Sequence, residues 1–315
     1  MASDDDSGRG PVTTDTPVGV IGLGAIGDGV ASALERAGFP VVVCDVREEA
    51  TQRHEGAARV ASSPAELAGQ VDAIVVAVVD DAQVHSVLSG PAGALAAARP
   101  GTVVVVVSTI TMACVEALGE EAAGYGVVMV DCGVSGGPAA AAAGELVCMV
   151  GGDRTVIDAM APVFDALGSM TVVMGPFGTG LAAKLARNLV QYGGWLAAYE
   201  GQKLAEASGV NLARLAQVIR ASDAKIGGAA TLMFRPTVAP FGEGDDQGLI
   251  DAMASAAALA HKDLQAALDL AAGLDLPLPL AAMTDRRADA IFGVAADPDA
   301  PERGSGESEM NGDAR

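Results

Sequence analysis

Positive charge is scarce in this chain: 19 Lys and Arg stand against 40 Asp and Glu, a formal net charge of −21. Such a surface repels phosphate backbones and anionic lipid, so neither nucleic acid nor a membrane is expected as a partner. Aromatic residues are scarce as well, at 3%, although half of all residues are hydrophobic. The core must therefore be built from Ala, Val and Leu. Apolar runs such as "DAIVVAVV" and "TVVVVV" fall far short of the roughly 20 residues that span a bilayer. The opening stretch "MASDDDSGRGPVTTDT" is acidic and has no apolar segment, so no secretory signal is expected. The four cysteines (Cys44, Cys114, Cys132 and Cys148) form no CxxC pair, and no metal site is expected. Three of them fall in or beside predicted strands, where small buried thiols are ordinary. These absences describe a soluble, reduced, cytoplasmic protein.

What is present changes character once along the chain. Between about residue 17 and residue 176, short runs rich in Val and Ile ("PVGVIG", "PVVVCD", "DAIVVAV", "TVVVVVS", "GVVMVD", "ELVCMV", "MTVVM") alternate with helical stretches. Continuous runs of this kind suit strands covered on both faces by helices, and the expectation is an α/β domain with a Rossmann-type doubly wound sheet. From residue 177 to about 296 no convincing strand appears, and an all-helical second domain is expected. Its helices are a long one over 179–208, one opening at the Asn of "NLARLAQVIRAS", one near 248–272, and a short one after "PLPL". The alanine run Ala139 to Ala143 reads as a compact helix or turn. Residues 1–16 and 297–315 are polar, charged and rich in Gly and Pro, and are expected to be disordered tails.

"VIGLGAIGDGVASALERAGFPVVVCD" places Gly22, Gly24 and Gly27 between a strand and an amphipathic helix. That spacing suits a tight turn, close backbone approach to a pyrophosphate, and helix–sheet packing, with the helix N-terminus facing the phosphates. Asp45 ends the next strand at the expected distance and can accept from ribose hydroxyls, which favours NAD over NADP. Arg47 argues the other way if it holds a 2′-phosphate, and is neutral if it is a solvated surface charge. A second glycine cluster, Ser135-Gly136-Gly137, sits at the end of a strand. It reads either as a backbone nest for a carboxylate or as a turn before a helix. Lys184 and Asn188, four residues apart in "GTGLAAKLARNLVQYGG", share one helix face. They are either site residues or, for the lysine, a snorkelling side chain on a half-buried helix. The three histidines are poor candidates for proton transfer: His54 and His85 fall on predicted surface segments, and His261 matters as the neighbour of Lys262.

Taken in order, "GLGAIGDGVASALERAG", "STI" at 108–110, "DCGVSGG" followed by "GEL", "GTGLAAKLARNL" and "HKDL" resemble the β-hydroxyacid dehydrogenases. This is the 3-hydroxyisobutyrate dehydrogenase-like group, which includes tartronate semialdehyde reductases. The resemblance covers about residues 17 to 295 and implies hydride transfer between a nicotinamide cofactor and a small β-hydroxy acid or its semialdehyde. It implies cofactor contacts from Gly22, Leu23, Gly24, Ala25, Ile26, Gly27 and Val78, from Thr109 on the nicotinamide-side ribose, and from Lys262, with Asp263 positioning that lysine. It further implies a substrate carboxylate on Ser135, Gly136 and Gly137, Lys184 as catalytic lysine with Asn188 beside it, and a homodimer formed through the long helix. NAD is the expected cofactor, with NADP the alternative.

Four positions depart from the family pattern: Arg187 replaces an Asn, Ser255 an aromatic, Gly133 a Pro, and Val79-Asp80 a Pro-Asn turn. The first two bear on the substrate. The alternative is an NAD(P)H-dependent imine reductase, which shares the fold: such enzymes commonly carry Asp or Tyr where this chain has Lys184, while Arg187 and Ser255 keep the alternative open. A silent scaffold would have no use for Lys184, Asn188 and Lys262. 6-Phosphogluconate dehydrogenase needs a much longer helical domain.

Overall fold

Every one of the seven valine-rich runs becomes a strand in the computed structural model, which describes residues 12–300. They are β1 (Val18–Ile21), β2 (Val41–Cys44), β4 (Ala73–Val76), β5 (Val103–Val106), β6 (Val128–Ser135), β7 (Leu146–Gly151) and β8 (Gly168–Gly175), joined by a two-residue β3 (Arg59–Val60). The helices between them are α1 (Gly27–Arg36), α2 (Glu48–Gln52), α3 (Pro64–Ala68), α4 (Asp81–Leu88), α5 (Ala94–Ala97), α6 (Met112–Gly124), α7 (Gly137–Ala143), α8 (Arg154–Ala159) and α9 (Ala161–Leu167). One sheet results, ordered β3-β2-β1-β4-β5-β6-β7-β8. All pairings are parallel except β6 with β7.

Side chains alternate between two apolar layers, as a period of two requires. Val18, Val20, Val41, Val43, Ala73 and Val75 face the layer that contains Val30, Leu34, Phe164 and Leu167. Ile21, Val42, Ile74 and Val76 face the opposite layer with Leu67, Leu88, Leu95 and Leu118. Both faces of the central strands are thus buried. The run "MTVVM" departs from that expectation: Val173 packs on the first layer, while Met170, Val172 and Met174 on β8 are exposed. β8 is the last strand in the sheet order and is packed by α8 and α9.

The chain divides into two compact units after Asn188. The first ten residues of α10 (Thr179–Ala207) therefore belong with the sheet. The second unit takes the rest of α10, then α11 (Leu212–Ile226), a 3-10 turn at Ala229–Leu232, α12 (Gln247–Gly273), α13 (Pro279–Arg286) and α14 (Ala288–Ile291). Asn211 caps α11 by accepting from the Arg214 N–H at 3.0 Å. Glu200 is buried and accepts from the N–H groups of Leu280 (2.9 Å) and Ala281 (3.0 Å) at the start of α13. Otherwise the unit buries almost nothing: Ala205, Ala257, Ala271, Leu278 and Ala288. Leu189, Tyr192, Trp195 and Tyr199 along α10 are exposed, with Leu189 at 74%.

Val12 donates to the Ala159 carbonyl at 3.0 Å and packs on the sheet's core. Asp299 pairs with Arg286 and Arg287 at 2.6 and 2.7 Å. Residues 1–11 and 301–315, the remainder of the expected tails, lie outside the described residues. His54 is not on the surface: its side chain is 2% exposed, with Nδ1 2.8 Å from Glu35. It follows α2 and is covered because Glu35 and Asp28 of α1 close over the ring. His85 is half-buried on α4. No helix among the described residues is long and apolar enough to cross a membrane.

Candidate active site

The glycine loop leaves β1 through Gly22, whose φ of +89° is the left-handed region where side chains are strained. A Cβ at Gly22 would also lie 2.8 Å from the Ala77 carbonyl and from Val78 Cγ1. At Gly24, by contrast, a Cβ would meet nothing within 4 Å. That open space lies at the start of α1, where backbone N–H groups point out of the helix, so a pyrophosphate fits over Gly24, Ala25 and Ile26. Val78 follows β4 and the exposed Thr109 follows β5. Together with the loop after β1 they surround the point where strand order reverses, the crevice in which open α/β sheets bind ligands.

Asp45 closes this loop from the end of β2. Its carboxylate accepts from the Leu23 N–H at 2.6 Å, from the Arg47 N–H at 2.9 Å, and from the Arg47 guanidinium at 2.9 and 3.0 Å. Arg47 is thus tied down, not free in solvent. It also donates to the Leu23 carbonyl at 3.0 Å, which Arg53 reaches at 3.3 Å. Burial alone would raise the Asp45 carboxyl, but Arg47 and the two backbone amides hold it below the usual range.

The second cluster grows out of β6. The strand ends at Ser135; Gly136 (φ +132°) and Gly137 (φ +75°) then turn the chain into α7. Lys184 on α10 donates from Nζ to the Val134 carbonyl, one residue before Ser135. The two sequence motifs, some fifty residues apart, therefore meet. Burial pushes the Lys184 amine down, and the nearby Arg187 charge pushes it further. Asn188, half-buried one turn on, accepts from Arg187 Nη1 at 3.4 Å. A Cβ on Gly133 would sit 2.5 Å from that of Lys184, so the Pro-to-Gly departure lies directly beneath the lysine.

Residues 17–175 match the family model described as the NAD binding domain of 6-phosphogluconate dehydrogenase. The L-threonate dehydrogenase of Cupriavidus necator is 38% identical over 267 residues, 84% of this chain and 86% of the relative. This chain belongs to the β-hydroxyacid dehydrogenase family. A crystal structure from Mycobacterium avium, described as an oxidoreductase, aligns with a TM-score of 0.80 at 36% identity, covering 88% of this chain and 98% of that one. The imine reductase of Myxococcus stipitatus aligns with a TM-score of 0.72 over 88% of this chain and 98% of its own, but at 17% identity it shows the shared fold alone. As a β-hydroxyacid dehydrogenase the protein is an oxidoreductase with a nicotinamide-binding domain.

Lys262, which the dehydrogenase pattern assigns to the cofactor, belongs to the second unit. It lies on α12, is 69% exposed and pairs with Asp263 at 3.2 Å. Ser255, one of the departures, spends its hydroxyl on the Asp251 carbonyl at 2.8 Å. One residue escaped the sequence reading. Asp131 on β6 is fully buried and accepts from the N–H groups of Gly178 and Leu181, both at 2.6 Å. The available signal was a carboxylate inside the apolar run "VVMVDCGV".

Proposed function

We propose that this β-hydroxyacid dehydrogenase oxidises the hydroxyl of a small β-hydroxy acid, or reduces the matching semialdehyde, with Lys184 moving the proton. By function, 17–176 is the dinucleotide-binding domain and 177–296 the substrate and dimerisation domain, although the start of α10, through Asn188, packs with the sheet unit. When bound, the nicotinamide supplies or accepts the hydride at its C4. Gly22 to Gly27, Val78 and Thr109 hold the cofactor, and the family pattern assigns Lys262 to it as well. Ser135, Gly136 and Gly137 hold the carboxylate. Lys184 takes the hydroxyl proton in oxidation and returns it to the carbonyl oxygen in reduction, while the Asn188 amide orients that oxygen. The observation that carries this reading is the contact of the Lys184 amine with the residue preceding Ser135. It supports the reading because a half-buried amine lies next to Ser135, the residue to which the carboxylate is assigned.

NAD is the preferred cofactor, a reading supported by the acidic Asp45 at the end of β2, which suits ribose hydroxyls better than a 2′-phosphate. The protein acts as a homodimer, because the second unit has too little core of its own and leaves an apolar stripe on α10 uncovered. Four free, buried cysteines suit the reducing cytoplasm.

The test is a panel of small β-hydroxy acids and one cyclic imine, assayed with NAD(H) and NADP(H), for the wild type and Lys184→Ala. On the best acid, Lys184→Ala should lose roughly 10²–10⁴ in kcat, the range for a lost acid–base group, while NADH still binds. Near-normal turnover by Lys184→Ala would sink the mechanism. Turnover of the imine alone would move the protein to the other chemistry.

A further inference from the structure

A fully buried carboxylate without a cationic partner is costly unless its lone pairs are satisfied. Asp131 meets that condition with backbone amides only. Its Oδ1 accepts from Gly178 and its Oδ2 from Leu181, the residue preceding α10 and the third residue within it. The flanking position of a helix usually supplies its own capping side chain. Gly178 has none, and the strand delivers the cap from about fifty residues earlier. The positive end of a 29-residue helix then faces the carboxylate.

Three residues further along β6, the Val134 carbonyl accepts from Lys184. The same strand therefore holds the helix at two places, by the Asp131 side chain at its first turn and by a main-chain oxygen at the lysine tip. Ser135 follows at once. Glycines allow the approach: a Cβ at Gly133 would lie 2.7 Å from the Gly180 carbonyl, and one at Gly151 would lie 2.8 Å from the Gly180 amide.

We propose that Asp131 is a positioning residue for the reaction: by capping α10 from β6 it sets the distance between the Lys184 amine and the carboxylate nest on the same strand. The inference rests on the assignment of Lys184 as the proton carrier. Substrate anchoring stays on β6 when the cap is lost, whereas the lysine, carried by the helix, moves. A displacement of about 1 Å at a reacting group can cost on the order of 100-fold in rate. Loss of the cap should therefore fall on kcat and spare KM.

Asp131→Asn tests this. The substitution is isosteric but sets an amide N–H₂ against one of the two N–H groups, so one contact becomes repulsive. Active sites are counted by NADH titration, so that a smaller folded fraction does not masquerade as slower catalysis. Per site, kcat should fall roughly 10- to 100-fold with KM for the acid little changed. The pH limb assigned to Lys184 should move up, because an amine that regains water returns towards the ordinary lysine range. Per-site kcat and pH limb indistinguishable from wild type would overturn the proposal and leave Asp131 a purely structural cap. If Asp131→Asn is not recovered folded, Asp131→Ser, smaller and able to accept one N–H, is assayed the same way. Failure of both to fold also overturns it, since Asp131 would then be a folding residue. Lys184→Ala run in parallel separates the two readings. If it keeps its rate, the lysine assignment fails; if it loses its rate while Asp131→Asn does not, only the positioning role fails.

Discussion

Two side chains set the electrostatics of the site, and both are poised by neighbours close in sequence. Lys184 loses proton affinity first to burial and then to Arg187, one turn along the helix. The neutral amine is the form that accepts a proton, so oxidation should speed up as pH rises through the Lys184 value, and reduction should slow down through the same range. That value should lie below the ordinary lysine range, and Arg187→Ala should move both limbs upward. Rate profiles in each direction check the sign. A limb that ignores Arg187→Ala would mean that another group titrates.

At the cofactor end, Arg47 occupies both oxygens of Asp45. Arg47→Ala releases those lone pairs for ribose hydroxyls and removes a charge that would welcome a 2′-phosphate. The ratio of kcat/KM for NAD over NADP should therefore rise in Arg47→Ala, and fall in Asp45→Ala. The tight turn at Gly22 and the strand-end place of Asp45 were legible from residues alone, because both are local requirements. The cap on α10 was not, because the bonds from Asp131 to Gly178 and Leu181 join positions that no sequence window holds together.

Among the elements, the strands read well and their pairing did not. A continuous apolar run states that both faces are buried, but says nothing about direction, so the antiparallel joint between β6 and β7 was invisible. β3 is too short to carry a pattern, and the exposed face of β8 reflects its place at the end of the sheet order. α10 was legible at both ends, yet its middle contains Gly193-Gly194, where a Cβ would meet nothing within 4 Å. Glycine in an exposed helix interior costs about 0.5–1 kcal/mol relative to alanine. Gly194→Ala should therefore raise the melting temperature of the isolated chain. If a second copy closes tightly over that stretch, the same substitution should instead lower it or weaken association. Calorimetry at low and high protein concentration distinguishes the two signs.

For the molecule as a whole, the contrast between the two units is the main fact. The sheet unit has two apolar layers; the helical unit buries a handful of small residues and exposes Trp195 at 60% beside Tyr192, ring centroids 5.3 Å apart. Trp195→Glu should shift the protein towards monomer in sedimentation velocity and reduce its thermal stability. An unaltered dimer would place the interface elsewhere, and a wild type that is monomeric at all concentrations would remove the proposal. Two chains of charge −21 also repel, so added salt should favour self-association by screening.

The close crossing of α10 over β6 has a further consequence, for what this scaffold can become. At Gly133, Gly151 and Gly180 the backbones stand nearer than a side chain permits. A side chain at any one of the three would force its neighbours to shift. The stretches around 131–135 and 178–184 are in effect a fixed chassis, closed to gradual remodelling. New substrate preferences would have to arise where side chains are free to vary, such as the exposed Arg187. A mutational library that spares the chassis and randomises its rim would yield more active variants than one spread evenly over the site.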